Sequence, residues 1–147
     1  MFYGEYEHSL DKKGRIILPS KLREALKETF VEKCVMTKGL EGCLFLYPLD
    51  EWRLLEQKIK ALPMTGREAR AFSRQLLSGA CECILDKQGR IFVPQNLRQY
   101  AGISREVVII GVSNRMEIWS KDKWLAYAKE TQSSYEDIAE KLVDKGI

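Results

Sequence analysis

Two clusters of charged residues in this chain have the types and spacing to do chemistry, and they are nearly the same cluster. Asp11, Lys12, Lys13, Gly14 and Arg15 stand near the start, and Asp86, Lys87, Gln88, Gly89 and Arg90 repeat them 75 positions later. Three kinds of chemistry are open to such a set. Lysines and arginines around a tight turn can neutralise phosphates, and an arginine just past the turn can reach a groove and pair bidentately with guanine. A carboxylate and a guanidinium flanking a turn can instead pair with each other, a structural use only. Two equivalent carboxylates, Asp11 and Asp86, could also share a proton as a hydrolytic dyad. Each of them has Lys and Arg beside it, which favours an ionised carboxylate over a shared proton. His8 is the only histidine, so no nucleophile–histidine pairing is visible and no enzymatic activity is expected. The four cysteines, Cys34, Cys43, Cys81 and Cys83, form no C-x-x-C, and none lies near His8. They read as small buried side chains in a reducing compartment, and neither a metal nor any other cofactor is expected.

The elements that must position these residues follow from the repeat. Residues 11–23 recur as 86–98 with eight of thirteen positions identical and no gap. Weaker similarity continues at an offset of 72, matching Gly39 with Gly111, Gly42 with Asn114, Leu44, Leu46 and Tyr47 with Met116, Ile118 and Trp119, and Asp50 and Trp52 with Asp122 and Trp124. Three residues are thus missing from the second copy, and the expected place is the helix end, where 26–33 faces 101–105.

Each copy reads alike. A lead-in strand (6–10; 81–85) meets a tight hairpin turn, where Gly14 or Gly89 supplies a positive φ and the Asp side chain bonds nearby amides. An apolar strand follows (16–18; 91–93), and its unbroken hydrophobicity predicts burial on both faces. Pro19 and Pro94 stop the strand and suit the first turn of a helix, over about 20–28 and 95–100. A second hairpin pairs 34–38 with 43–47, and 107–112 with 116–119, and Gly42 and Asn114 are both residues that tolerate left-handed turn geometry. A helix closes each copy, from Leu49 and from Lys121. Between the copies, Thr65-Gly66-Arg67-Glu68 reads as a capping box opening a helix to about Ser78. Residues 134–145 read as an amphipathic helix with Tyr135, Ile138, Leu142 and Val143 on one side. Tyr47, Trp52, Trp119 and Trp124 are expected in the core rather than as base-stacking platforms. The chain thus divides into a first repeat (5–52), connecting helices (53–79), a second repeat (80–124) and a helical tail (125–147). Neither copy is large enough for a good core. The expected fold is therefore α+β and β-rich, with two tandem repeats closing one pseudo-two-fold β-barrel carrying peripheral helices.

Composition narrows the class. The 147 residues are 45% hydrophobic and 31% charged, an ordinary globular balance. No apolar run approaches the roughly 20 residues of a membrane span. The first residues show no basic segment followed by an apolar one, so the expected location is cytoplasmic, with no membrane partner. The net charge of +3 is mild, but it is segregated. Lys12, Lys13, Arg15, Lys21, Arg23 and Lys27 outnumber Asp11 and Glu24 in the first copy, and Lys87, Arg90 and Arg98 face only Asp86 in the second. The tail carries Glu136, Asp137, Glu140 and Asp144. Two matched groups of cations suit an approximately two-fold polyanion, duplex DNA. Charge alone leaves DNA contact level with simple Asp–Arg pairing, and leaves Arg23 and Arg98 as either secondary DNA contacts or ordinary solvated helix residues. Arg67, Arg70 and Arg74 read as a second basic stripe or as the wet side of their helix.

The pattern G-R, three apolar residues, P-x-x-L-R, with Asp three before the Gly, resembles the AbrB-type swapped-hairpin DNA-binding superfamily. It stands here as Gly14-Arg15-Ile16-Ile17-Leu18-Pro19-Ser20-Lys21-Leu22-Arg23. With the opening Phe2-Tyr3-Gly4-Glu5-Tyr6 and two in-register copies, nearly the whole chain resembles the MraZ family of bacterial transcriptional regulators. The resemblance implies a pseudo-dimeric barrel within one chain and homo-oligomeric assembly into a ring. It also implies association with the nucleoid and binding to short repeats in the promoter of a cell-division and cell-wall operon that includes the regulator's own gene. Matching motifs make Arg15 and Arg90 the foremost DNA contacts, followed by Lys12, Lys13 and Lys87. No small-molecule substrate is implied. Gln88 replaces Lys13 in the second copy, so the two hairpins need not contribute equally. AbrB-like hairpins also occur in antitoxins, where a C-terminal segment wraps a toxin; the tail here reads as helical rather than disordered.

Overall fold

The computed structural model describes residues 1–28 and 33–147. The first repeat contributes β1 (Glu5–Ser9), β2 (Arg15–Ile17), α1 (Ser20–Glu28), β3 (Lys33–Lys38), β4 (Leu44–Pro48) and α2 (Leu49–Lys60). A connecting helix, α3 (Arg67–Ser78), leads to β5 (Cys81–Ile84), β6 (Arg90–Phe92), α4 (Gln95–Ala101), β7 (Glu106–Val112), β8 (Arg115–Ser120) and α5 (Lys121–Ser133). The tail forms α6 (Tyr135–Lys141) and a 3₁₀ turn over Val143–Lys145. The chain is α+β with a large share of strand.

The repeats exchange strands. β1 pairs antiparallel with β7, and β5 with β3. β2 and β6 pair with each other as a separate two-stranded ribbon, in the register Arg15↔Phe92, Ile16↔Ile91, Ile17↔Arg90. The hairpins β3–β4 and β7–β8 join through β4 and β8, so the main sheet runs β1-β7-β8-β4-β3-β5. Exchanging the repeats turns this order into its own reverse.

The expected barrel does not close. The main sheet is open, with β1 and β5 as its outer strands and the ribbon apart from it. The reason lies at the repeated turn. Asp11 N–H donates to the Arg15 carbonyl at 2.8 Å, but beyond that bridge β1 and β2 go to different partners. The ribbon strands are three residues long and end before Pro19 and Pro94, which have no N–H to extend a ladder.

Side chains alternate across the sheet and fill two cores. Met36, Leu44, Leu46, Ile109, Met116 and Ile118 meet the ribbon's Ile16 and Ile91, Leu22 of α1 and Leu97 of α4 in one cluster built from both repeats. On the other face, Val35, Phe45, Tyr47 and Trp119 pack under α2, α3 and α5 with Trp52, Ile59 and Leu76. The expected aromatic core residues are all here. Trp119 stacks on Tyr127 at 5.0 Å and meets Trp124 edge-on at 5.3 Å.

Several local expectations need correction. Gly39 and Gly111 are not at matching ladder positions. Gly39 N–H donates to Cys43 across the loop Leu40-Glu41-Gly42, whereas Gly111 pairs with Met116 and the loop is Ser113-Asn114. One missing residue therefore belongs to this turn, not to the end of α1. The rest of that expected gap overlaps residues 29–32, outside the described residues. Positive φ in the second loop falls on Ser113 (61°) rather than Asn114, as a two-residue turn with a left-handed first position requires. α3 begins one residue too late for the capping box: Gly66 is its N-cap, no side chain caps it, and Thr65 stands outside. Pro94 is itself the N-cap of α4, at φ −58° and ψ 151°, rather than a residue of its first turn. The tail helix is shorter than expected, and its apolar side is uncovered, with Tyr135, Ile138, Leu142 and Val143 all exposed. No described helix is long and apolar enough to cross a membrane.

Candidate nucleic-acid interface

The two D-K-x-G-R segments fold into the same turn, bond for bond. Gly14 N–H donates to the Asp11 carbonyl at 3.1 Å, and Gly89 N–H to that of Asp86 at 3.0 Å. Asp11 Oδ1 accepts from the backbone N–H of Lys13 and of Arg15, both at 2.9 Å, and its Oδ2 accepts from Arg15 Nε at 2.8 Å. Asp86 does the same with the N–H groups of Gln88 and Arg90 at 2.9 Å and with Arg90 Nε at 2.7 Å. These donors, the arginine's backbone N–H foremost, hold both carboxyls below their ordinary value. Each Asp is saturated by its own turn as a charged acceptor. That is the opposite of what a proton-sharing dyad needs.

The Asp–Arg pairing left open by the sequence is therefore present. It occupies Nε only. The Nη groups of Arg15 and Arg90 have no partner among the described residues, and the two side chains remain 29% and 26% exposed. A guanidinium anchored through Nε presents its two Nη groups in a fixed direction, the geometry a bidentate acceptor requires. Lys12, Lys13 and Lys87 are exposed beside the turns, as is Gln88.

The ribbon places both arginines on one surface. Because side chains alternate, Ile16 and Ile91 enter the core, and Arg15, Ile17, Arg90 and Phe92 point the other way. The expectation that β2 and β6 are buried on both faces is thus wrong: Ile17 is 45% exposed and Phe92 50% exposed. Among the described residues, the ribbon's second face is only partly covered. The sequence did carry a signal for this. Arg15 must face water to stay solvated, and the residue two along shares its face.

The glycines answer two demands. Gly14 and Gly89 have φ of 81° and 77°, in the left-handed region. They also admit an arginine of the other repeat. A Cβ on Gly89 would stand 2.6 Å from Arg23 Cδ and 2.9 Å from its Cζ, and one on Gly14 would stand 3.3 Å from Arg98 Cζ and 3.1 Å from Phe92 Cε1. The two turns are further tied by Leu18 N–H donating to the Gly89 carbonyl at 2.9 Å and Val93 N–H to that of Gly14 at 2.8 Å. Arg23 and Arg98, expected either as secondary DNA contacts or as solvated helix residues, lie against the opposite turn with Nε buried and unpartnered. Burial, and secondly the Arg23 charge, lower the pKa of His8.

The remaining candidates are ordinary. Cys34, Cys43 and Cys83 are buried free thiols; burial pushes Cys34 and Cys43 up to about 12, far from thiolate chemistry at neutral pH. Arg70 donates to the Met64 carbonyl at 3.0 Å, and Arg67 and Arg74 are solvated on α3. Among the described residues, no group of three or more His, Cys, Asp or Glu is placed to hold a metal.

Comparison with known proteins agrees with the duplication. A family model described as "MraZ protein, putative antitoxin-like" matches the chain twice, over residues 1–75 and 76–146. The "Transcriptional regulator MraZ" of Natranaerobius thermophilus is 58% identical over 147 residues, covering 100% of both chains. Proteins of the same name from Clostridium beijerinckii and Acetivibrio thermocellus are 57% and 54% identical over 147 residues, again covering 100% of both chains.

Proposed function

Because this chain belongs to the MraZ family, we propose that it is a transcriptional regulator that binds duplex DNA sequence-specifically through the ribbon and its two turns, without catalysing a reaction. One observation carries this: Arg15 and Arg90 lie on the same exposed face of a cross-repeat ribbon, each held through Nε by an aspartate with its Nη edge free. A two-stranded ribbon fits the major groove, where guanine offers O6 and N7 to a bidentate arginine. Lys12, Lys13 and Lys87 supply phosphate contacts around it. Arg23 and Arg98 act behind the surface, packing the opposite turn.

The palindromic strand order favours a pseudo-two-fold relation between the repeats, so one chain offers two similar, unequal half-contacts. Several chains together then engage short repeats in the promoter of the regulator's own cell-division and cell-wall operon, and the protein associates with the nucleoid. Uncovered apolar side chains favour a homo-oligomer, ring-shaped in this proposal. They include Tyr135 and Val143 on the tail, and Phe72 and Leu40 beside a groove of about 440 Å³.

Arg15→Ala combined with Arg90→Ala tests the assignment. Binding to the protein's own upstream DNA should fall to the level of unrelated DNA, while thermal unfolding and particle mass stay as in the parent. Specific binding that survives in the double variant refutes the proposed site.

A further inference from the structure

We propose that Ile17 and Phe92 are specificity-determining residues that contact thymine 5-methyl groups between two arginine-read positions. The inference rests on the DNA-binding reading above and goes beyond it. Ile17 and Phe92 lie on the outer face of the ribbon, each directly opposite an arginine: Ile17↔Arg90 and Arg15↔Phe92. Both are about half exposed, while their strand neighbours Ile16 and Ile91 are fully buried. They contribute little to the core, and an exposed apolar pair marks an interaction surface.

Charge selects the partner. The pair is flanked by Arg15 and Arg90, whose Nη groups are free, and by the exposed Lys12, Lys13 and Lys87. An apolar protein surface is a poor match for such a cationic rim, whereas duplex DNA supplies anionic phosphates outside and base edges inside. Each base pair shows hydrogen-bonding groups in the major groove, and the one apolar group there is the thymine methyl. The ribbon's two diagonals therefore match two kinds of base edge: arginine to guanine, and isoleucine or phenylalanine to thymine. Because Ile17 and Phe92 differ in size and shape, the two halves of the surface do not read equivalent steps equally well. Phe92 also lies close to the Gly14 turn.

The test uses the full chain and two duplexes of its own upstream region. One is natural, and in the other every thymine is replaced by deoxyuridine, which removes only the methyl. The parent should bind the natural duplex about tenfold more tightly, the sum of two methyl contacts. The Ile17→Ala, Phe92→Ala variant should bind both equally, while keeping the parent's affinity for unrelated DNA and the parent's salt dependence. Equal binding of both duplexes by the parent overturns the thymine assignment and leaves the DNA-binding reading intact; this comparison needs no variant to fold. Undiminished discrimination by the double variant also overturns it. So does a fall in particle mass with discrimination retained, which would make this face a contact between copies. No preference of the parent for either upstream duplex over unrelated DNA sinks the DNA-binding reading as well.

Discussion

The two repeats build the same turn from nearly the same residues, yet they differ where they face solvent. Asp, Lys, Gly, Arg, Ile, Pro, Leu and Arg coincide over residues 11–23 and 86–98. Most of these make the turn, enter the core or pack the opposite repeat. The differences are mainly on the outside: Lys13 against Gln88, Ile17 against Phe92, Ser20 against Gln95 and Lys21 against Asn96, all exposed. Leu18 against Val93 is the buried exception. Geometry is thus held in common while surface chemistry has diverged. A duplicated chain can do this, whereas a symmetric dimer of identical halves cannot. Lys12, Lys87, Arg15 and Arg90 are both outward-facing and shared, which makes them the common part of the proposed contact.

The sharpest way to break this comparison is to remove the shared arginines. Arg15→Ala with Arg90→Ala should cost roughly a hundredfold or more in specific affinity, since each bidentate pair contributes about 1–3 kcal/mol of discrimination. Filter binding or fluorescence anisotropy at fixed salt would measure it. The glycines come next, and they separate the repeats. Gly14→Ala should destabilise the fold by about 1–2 kcal/mol through its left-handed φ alone. Gly89→Ala should cost more, because Arg23 stands closer to its Cβ position than Arg98 does to that of Gly14. Urea midpoints of the two variants would rank them, and equal losses would show that Arg23 yields freely.

Smaller effects sharpen the difference in charge. Lys13→Gln should weaken binding to specific and unrelated DNA alike and reduce the salt slope by about 1, while Gln88→Lys should raise it by about 1. A change in sequence preference instead would place these side chains at base edges. The smallest effect is on acid stability. Asp11 and Asp86 titrate below their ordinary 3.8, so their contribution is fully present above that value. It is lost as pH falls through the lowered folded values. Asp11→Asn with Asp86→Asn should flatten this acid limb of the unfolding curve and leave the neutral region's slope unchanged.

Much of the molecule was legible in the residues. Gly14 and Gly89 after an Asp announced turns, since few residues accept a φ near 80°. Largely apolar segments on either side of Gly42 and Asn114 announced the second hairpins, and the in-register recurrence of residues 11–23 announced the duplication. The carboxylate–guanidinium pair was foreseen as one of two uses of Asp and Arg, and local geometry produced it in both copies. Other features could not be read so. Ile16-Ile17-Leu18 is an unbroken apolar run; Arg15 assigns Ile17 to the solvent-side face, but the run does not state how exposed Ile17 is. That depends on the ribbon standing apart from the main sheet. Arg23 and Arg98 look like solvated helix residues, yet they lie on glycines 66 and 84 positions away in the other repeat.

The sequence by itself determined the local devices: the Asp-anchored turn, the strand-ending proline, the helices and the existence of two copies. The turn, the proline stop and the helices follow from interactions within a few residues, and the two copies from the recurrence of 11–23 as 86–98. Only the tertiary structure decided which strand meets which, that the sheet stays open, and that Arg15, Ile17, Arg90 and Phe92 share one exposed face. Those outcomes come from burying two half-cores against each other. One core cluster draws its side chains from both repeats, and β2 of one repeat pairs with β6 of the other.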